Sequence, residues 1–510
     1  MEAAIQWINN QVWGVPMLAL LLLTGLYLTF GLRFLSVVRI PYAFKQLFRK
    51  RGGDNEEGDV SPFAALMTAL SSTIGTGNIA GVAAAIAIGG PGAVFWMWVT
   101  AIVGTATKFS EGVLAVRFRE IDANGNRVGG PMYYIKNGLG PKWLWLAGAF
   151  AFFGMFSAWG TGNSIQANSV ADALNSEYGV SPWITASVLA LGAGAVIIGG
   201  IQRIGVVASA IVPFMAGTYF LLGLLVVILN AGAVPGAFSL IFKSAFGLQE
   251  AGTGISIGLL MLAMQKGVAR GIFSNEAGQG SAPIAHAAAR NNDPVNQGII
   301  AMLGTVIDTL IVCTITALVI LTSGVVSQDC LANPAILEML QGGNQPAGCD
   351  TGAPLTSSAF SAHLGEFGRH IVPIGLTIFA FTTILGWSYY GERCSAFLFS
   401  EKAILPYRIL YVIVVFLSAA AIALEDQVGN IVNLFWLMAD TLTGLMAAPN
   451  LVGLLLLSPL VFRMAKAYFS ERGELDRVMR EAVSDHDQSA FARRHRDELP
   501  GDPVLGGTAE

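Results

Sequence analysis

The chain has 510 residues, of which 12% are charged and 54% hydrophobic, with a net charge of −4 and a mean hydropathy of +0.61. Soluble domains carry about 25% charge, so this surface is too poor in charge for a soluble enzyme, a disordered chain or a disulfide scaffold. The composition is that of an all-α polytopic membrane protein, and the absence of a basic face argues against nucleic-acid binding.

Runs of roughly 20 apolar residues predict about eleven transmembrane helices: 14–34, 62–89, 93–117, 143–175, 182–200, 204–230, 252–288, 295–325, 369–398, 407–424 and 430–462. The first run has no Lys or Arg before Arg33, so it reads as a retained helix rather than a cleavable export signal. The fourth is long enough for one tilted helix or two short ones. With the N-terminus outside, inner loops hold 24 Lys and Arg and outer loops two, Lys243 and Arg369. That asymmetry predicts an odd number of spans with the N-terminus outside and the C-terminus in the cytoplasm.

Four segments follow: 1–59, an extra N-terminal helix and basic loop; 60–230, a first five-helix set; 231–463, a second; and 464–510, a charged cytoplasmic tail. Cys330 and Cys349 share the expected outer loop 326–368, where a disulfide and two free thiols are both open.

The second span reads Ala69-Leu70-Ser71-Ser72-Thr73-Ile74-Gly75-Thr76-Gly77-Asn78-Ile79-Ala80-Gly81. Gly75 and Gly77 permit a local loss of helix at mid-membrane, and Asn78 can cap the restart. The seventh repeats the idea with Phe273-Ser274-Asn275-Glu276-Ala277-Gly278-Gln279-Gly280-Ser281. Glu276 inside a span is costly and is read as functional. Each break opens one five-helix set, and paired Gly-interrupted helices in corresponding positions mark transporter sites. Tight packing through Gly77-x-x-x-Gly81 is the alternative.

A broken helix presents free N–H groups to a carboxylate and free C=O groups to a cation. It therefore suits a zwitterion, or one end of it with a metal ion. Thr382 and Thr383 in the ninth span add hydroxyls, with Trp387 one turn on, and Gln166 in the fourth span adds an amide. Self-bonding Ser and Thr, or interhelical hydrogen bonds, are the alternatives. Lys108 and Glu111 are expected to pair. Asp308 and Asp440 stay open as ion sites, proton sites or partners of Lys266 and Arg270. No Walker loop, HExxH pair or nucleophile elbow is present, which argues against an ATP-driven pump and an enzyme.

The segments Ser71–Gly81, Gly129–Tyr134 (GGPMYY) and Ala269–Ala289 (ARGIFSNEAGQGSAPIAHAAA) resemble the alanine or glycine:cation symporter family. The resemblance runs over residues 12–465. It implies the leucine-transporter (LeuT) fold, a 5+5 inverted repeat with one extra N-terminal helix and two broken helices. It implies Na+-coupled uptake of alanine or glycine across a cell (inner) membrane, with sodium as the coupling ion and no covalent cofactor. By resemblance, amides of Gly75, Thr76, Gly77 and Asn78 meet the substrate carboxylate, and carbonyls of Phe273, Ser274 and Gly278 meet its ammonium. Thr383, Trp387 and Gln166 close the pocket. Sodium sits between the carbonyls of Ser71 and Ile74 and the hydroxyls of Thr382 and Thr383. A proton-coupled permease of the same fold, and an ion channel, are the competing functions.

Overall fold

The computed structural model describes residues 2–48, 57–248, 257–326 and 349–484. Helices α1 (Glu2–Val12) and α2 (Val15–Gly31) lead into α3 (Pro62–Thr73), α4 (Gly77–Gly89) and α5 (Gly92–Arg117). Then come α6 (Pro141–Tyr178), α7 (Pro182–Ile197), α8 (Gly200–Leu229), α9 (Val234–Ala245), α10 (Ile257–Asn275) and α11 (Ala282–Ala287). The chain ends in α12 (Pro294–Thr322), α13 (Gly352–Phe399), α14 (Glu401–Leu424) and α15 (Glu425–Ser484). Eight helices of the described residues are long and apolar enough to cross a membrane, or nine if the bent α3–α4 pair counts as one span. Of the remaining predicted spans, 182–200 forms the 16-residue α7, and 252–288 is divided between α10 and α11.

Burial sorts these helices into layers. In α5, 89% of the apolar window is buried, against 28% in α8 and α14, so α5 is a central post and the other two face outward. Glycine lets the post sit close: a Cβ on Gly112 would lie 2.8 Å from Ala301 Cβ of α12. The outward faces of α8 carry Val206, Phe214, Leu221 and Ile228, all exposed. Apolar side chains on the outside of a packed bundle match a lipid environment.

Three sequence expectations change. The predicted loop 326–368 is helical from Gly352, and α13 turns at Gly365, whose φ of 58° and ψ of −140° interrupt it. Its first stretch, with Ser357, Ser358, Ser361 and His363, is too polar to register as part of a span. Helix α9 was unmarked, because its 12 residues fall below spanning length. The fourth predicted span is a single run, α6, with one π turn over Gly160–Ser164. Cys330 lies outside the described residues, while Cys313 and Cys394 are free and buried.

At the end of the molecule that the charge asymmetry assigns to the cytoplasm, a hairpin of β1 (Glu120–Ile121) and β2 (Arg127–Val128) ties several elements together. Asp122 accepts from Arg393 of α13 at 3.0 Å, Arg393 also reaches Glu392, and Arg408 of α14 meets the same Glu392, both at 2.6 Å. Arg119 donates to the carbonyls of Ala287, Ala289 and Glu57, and Val60 forms a parallel bridge with Ala289. Burial pushes the Asp122 carboxyl up, but the Asn126 amide, the Asn126 side chain and the Arg393 guanidinium outweigh it and hold it below the ordinary carboxylate range. The hairpin, the chain before α3, the chain after α11, α13 and α14 are thereby tied together.

Candidate functional site

The first break forms as its residues dictate. Ser61 caps α3 by accepting from the Ala64 amide, with Pro62 at the first helical position. The helix stops at Ile74, whose ψ of 97° is extended, and α4 leaves at 55° to α3. Asn78 holds the gap: its Oδ1 accepts from the Gly75 amide at 2.9 Å. Thr76 and Gly77 begin the restarted helix, so their amides have no helical acceptor upstream. Packing alone does not demand the two small residues of the Gly77-x-x-x-Gly81 alternative. A Cβ on Gly77 would meet its neighbours at 3.5 Å and one on Gly81 at 3.9 Å, both ordinary contacts.

The second break is a compact turn. Helix α10 ends at Asn275, whose Oδ1 accepts from the Ala277 amide at 2.9 Å. Glu276 has a φ of 55°, and Gly278 and Gly280 follow at 88° and 83°. Glycine takes such angles freely, whereas glutamate does so at a cost.

Between the breaks lies a cavity of about 20 Å³, room for a water or two. Its wall is Ser72, Thr73, Gly75, Thr76 and Gly77 from the first break, and Phe273, Glu276 and Gln279 from the second. Helix α6 gives Thr161 and Gln166, α13 gives Thr383 and Trp387, and α15 gives Thr443. Thr76 is shared with a second space of about 580 Å³, a vestibule lined by Ala80, Asp172, Glu177, Arg369 and Trp436 among others. Arg369 and Glu177 bridge at 2.5 Å across it. Gln166 stands between the two spaces: its Nε2 donates to Thr76 Oγ1 and to the Thr161 carbonyl, both at 3.2 Å. Its buried Oε1 has no hydrogen-bond partner among the described residues.

Of the residues expected from the sequence, Gly75, Thr76, Gly77, Gln166, Phe273, Thr383 and Trp387 line this one cavity. Three others stand behind its wall. Asn78 Nδ2 lies 2.6 Å from Asp308 Oδ1 and 3.1 Å from Ser274 Oγ, and Ser274 Oγ donates to Asp308 Oδ2 at 2.8 Å. These side chains bolt both breaks to α12. Gly278 turns its carbonyl to Asn450 Nδ2 at 2.8 Å, and its Cα faces Leu21 and Leu451. Gly278 itself does not line the cavity.

The four expected cation ligands gather where α3 meets α13. Thr383 Oγ1 donates to the Ile74 carbonyl at 3.3 Å and to Phe379 O at 3.1 Å. A Cβ on Gly386 would lie 2.8 Å from Ser71 Oγ, which shows how close the helices run. The hydroxyls of Ser71 and Thr382 turn back to Thr68 O and Phe379 O, the self-bonding that Ser and Thr favour in helices. Among these, Thr383 alone joins the two helices by a side-chain hydrogen bond.

The expected Lys108–Glu111 pair does not form. Glu111 Oε1 accepts from Asn450 Nδ2 at 2.7 Å, and the backbone of Gly278 and Gly280 also acts on the carboxylate. Lys108 instead lies within electrostatic reach of Glu111, Glu276 and Asp308 alike. Wall residues without an expected role are Ser72, Thr73, Thr161, Gln279 and Thr443. A single Thr in an apolar span such as α15 gives no signal; Gln279 and Glu276 stood out only as polar residues at a break.

The sodium:alanine symporter family model matches residues 1–481. The chain is 50% identical over 466 residues to the sodium/alanine symporter AgcS of Methanococcus maripaludis, covering 91% of this chain and 96% of that one. It is 37% identical to the probable sodium/glutamine symporter GlnT of Bacillus subtilis, over 91% of this chain and 90% of that one. Among solved structures, a substrate-bound outward-open Na+-coupled sialic acid symporter aligns over 88% of this chain and 86% of that one, at a TM-score of 0.47 and 16% identity.

Proposed function

The chain belongs to the sodium:alanine symporter family, and on that premise we propose that it imports small neutral amino acids, alanine or glycine, together with Na+ by alternating access. It is a multi-pass membrane transporter that couples its solute to a cation, and not an enzyme. The observation that carries the finer reading is the cavity enclosed by both broken helices. Amides at the Thr76–Gly77 restart suit the substrate carboxylate, and the Ile74 carbonyl beside Thr383 suits a sodium ion, a hard cation that prefers oxygen.

Substrate size follows from the walls. The space of about 20 Å³ must widen to admit an amino acid, and the buried Trp387 indole, with Phe273, leaves little room for a long side chain. GlnT is described for glutamine; this wall favours alanine or glycine. Two inverted repeats, 60–230 and 231–463, each opening on a broken helix, remain the organisation we propose. So do the inner membrane, the outside N-terminus and the cytoplasmic C-terminus. The vestibule then opens outward, and the hairpin clamp seals the inside.

Energetically one ion suffices. A potential of 100 mV is worth about 2.3 kcal/mol per charge, and a tenfold Na+ gradient adds about 1.4 kcal/mol. Together they support roughly 400-fold accumulation of a neutral solute. The test is alanine uptake into proteoliposomes under an inward Na+ gradient with equal pH on both sides. Sodium-stimulated, uphill uptake is expected. Stimulation by a proton gradient alone would substitute the proton-coupled permease, and downhill flux alone the channel.

A further inference from the structure

Glu276 is the one ionisable side chain in the cavity wall among the described residues. It is 3% exposed, and its backbone sits at φ 55°, a left-handed conformation that a non-glycine residue adopts only at a cost. Strain of that kind, at a site over-determined by its surroundings, points to a side chain held for use.

Three main-chain oxygens around the second break are occupied. Ile272 O accepts from the Glu276 amide at 2.8 Å and from Gln279 Nε2 at 3.2 Å. Glu276 O accepts from the Gln279 amide at 3.1 Å, Gly278 O from Asn450, and Ser274 Oγ is engaged with Asp308. Beside its remaining carbonyls, the break offers an ammonium group one charged acceptor, the Glu276 carboxylate. Oε1 accepts from Trp387 Nε1 at 3.0 Å and Oε2 from Ser281 Oγ. Both partners are neutral donors, which suits an anion, and each oxygen keeps a further lone pair. Lys108 acts on it from α5 electrostatically without an ion pair among the described residues.

We propose that the Glu276 carboxylate receives the ammonium group of the transported amino acid, making the α-amino group the feature by which the site selects its solute. This rests on the cavity being the amino-acid site. The substrate is thereby oriented, with its carboxylate at the Thr76–Gly77 amides and its ammonium at the turn of the second break. The Trp387 hydrogen bond keeps Oε1 aimed into the cavity.

The test is equilibrium binding of radiolabelled alanine to the purified full chain in Na+, competed by L-lactate and by propionate, which keep the carboxylate and lack the ammonium. In the wild type both competitors should bind at least 100-fold more weakly than alanine, in line with sites that pair a buried polar group with its ligand. Glu276→Gln should weaken alanine by roughly 30- to 5000-fold, the range for unpairing a buried charge. Lactate and propionate should be unchanged or tighter, so that the discrimination collapses. Trp387→Phe should weaken all three alike.

Parallel loss for all three ligands in Glu276→Gln would reduce Glu276 to a prop for Trp387 and overturn the proposal. So would wild-type alanine affinity, or a wild type that does not discriminate lactate from alanine, a result that needs no variant to fold. Gly162→Val separates the underlying reading, because its side chain would displace the Trp387 ring into the cavity. If that variant binds alanine normally, the cavity is not the site. If it loses alanine while Glu276→Gln does not, the cavity stands and the Glu276 assignment alone fails.

Discussion

Asn78→Ala is the substitution whose cost can be worked from the structure. The Asn78 side chain accepts from the Gly75 amide, and its two Nδ2 hydrogens are shared among Asp308 Oδ1, Asp308 O, Ser274 Oγ and Cys313 Sγ. Alanine leaves the Gly75 amide and the Asp308 carboxylate each short of a partner in a fully buried site. At about 1–3 kcal/mol for each unsatisfied group, the arrangement loses ~2–6 kcal/mol. At roughly 2 °C per kcal/mol for a large chain, the purified protein should melt ~4–12 °C lower, and alanine uptake should fall to background because the first break loses its shape. Asn78→Asp is the sharper variant. It keeps an acceptor for Gly75 but sets a second carboxylate against Asp308, so it should be worse than alanine. Melting curves and proteoliposome uptake check both. An Asn78→Ala protein that melts within a degree of wild type and transports normally would refute the view that this side chain joins the breaks.

Thr383→Ala should raise the sodium concentration for half-maximal uptake about tenfold, the loss expected of one charge-assisted contact. Thr382→Ala, whose hydroxyl bonds Phe379 O and Met215 Sδ of α8 rather than α3, should change it less than twofold; equal effects would return both to the cation site. Gly162→Ala should abolish uptake, because its Cβ would overlap the Trp387 side chain, and single-turnover uptake measures this. Asp122→Ala should speed hydrogen exchange at the Asn124 and Asn126 amides, which donate to its Oδ1 at 2.9 and 2.8 Å. The pH sign follows from its depressed carboxyl. The ionised form is the one the clamp holds, so its stabilisation is present above the ordinary carboxylate pKa of about 3.9 and is lost as pH falls through the lower native value. Hairpin exchange, corrected for intrinsic rates, should therefore be constant from pH 8 to 5, and loosening near pH 5 would contradict the assignment.

The places of the breaks were legible because only Gly, Ser, Thr and Asn at that density can open a helix at mid-membrane, and both fall where the chain bends or turns. What each side chain does there was less legible. Asn78 and Thr382 have the right chemistry for ligands, yet hydrogen bonds within and between helices claim them, and composition cannot weigh a ligand against a neighbouring Asp308 or a carbonyl four residues back. The Gly278 carbonyl was expected at the substrate ammonium; Asn450 claims it instead. Lys108 and Glu111 have ideal spacing for a pair, but Asn450, more than 300 positions away, takes the carboxylate first. Helix spacing fixes who can meet within an element, not who arrives from another. The stretch after Gly352 hid for the opposite reason: its polar residues line the vestibule, so they thin the hydropathy that would have marked it.

The same contacts say how cation and solute can depend on each other. Thr383 touches the Ile74 carbonyl on one side, and on the other its Oγ1 would lie 2.7 Å from a Cβ on Gly75, a cavity residue. A cation that takes the Ile74 carbonyl competes with that hydroxyl hydrogen bond, and Thr383 is itself part of the cavity wall. Binding at either place thus alters the other, and by linkage the effect is mutual: if sodium tightens alanine by some factor, alanine tightens sodium by the same factor. Isothermal measurements of each affinity with and without the partner check that equality in the wild type. In Thr383→Ala the hydroxyl that links the two is gone, so both factors should shrink together toward one. A mutant in which sodium still tightened alanine as in the wild type would mean that the coupling runs through the α3–α4 bend and not through α13.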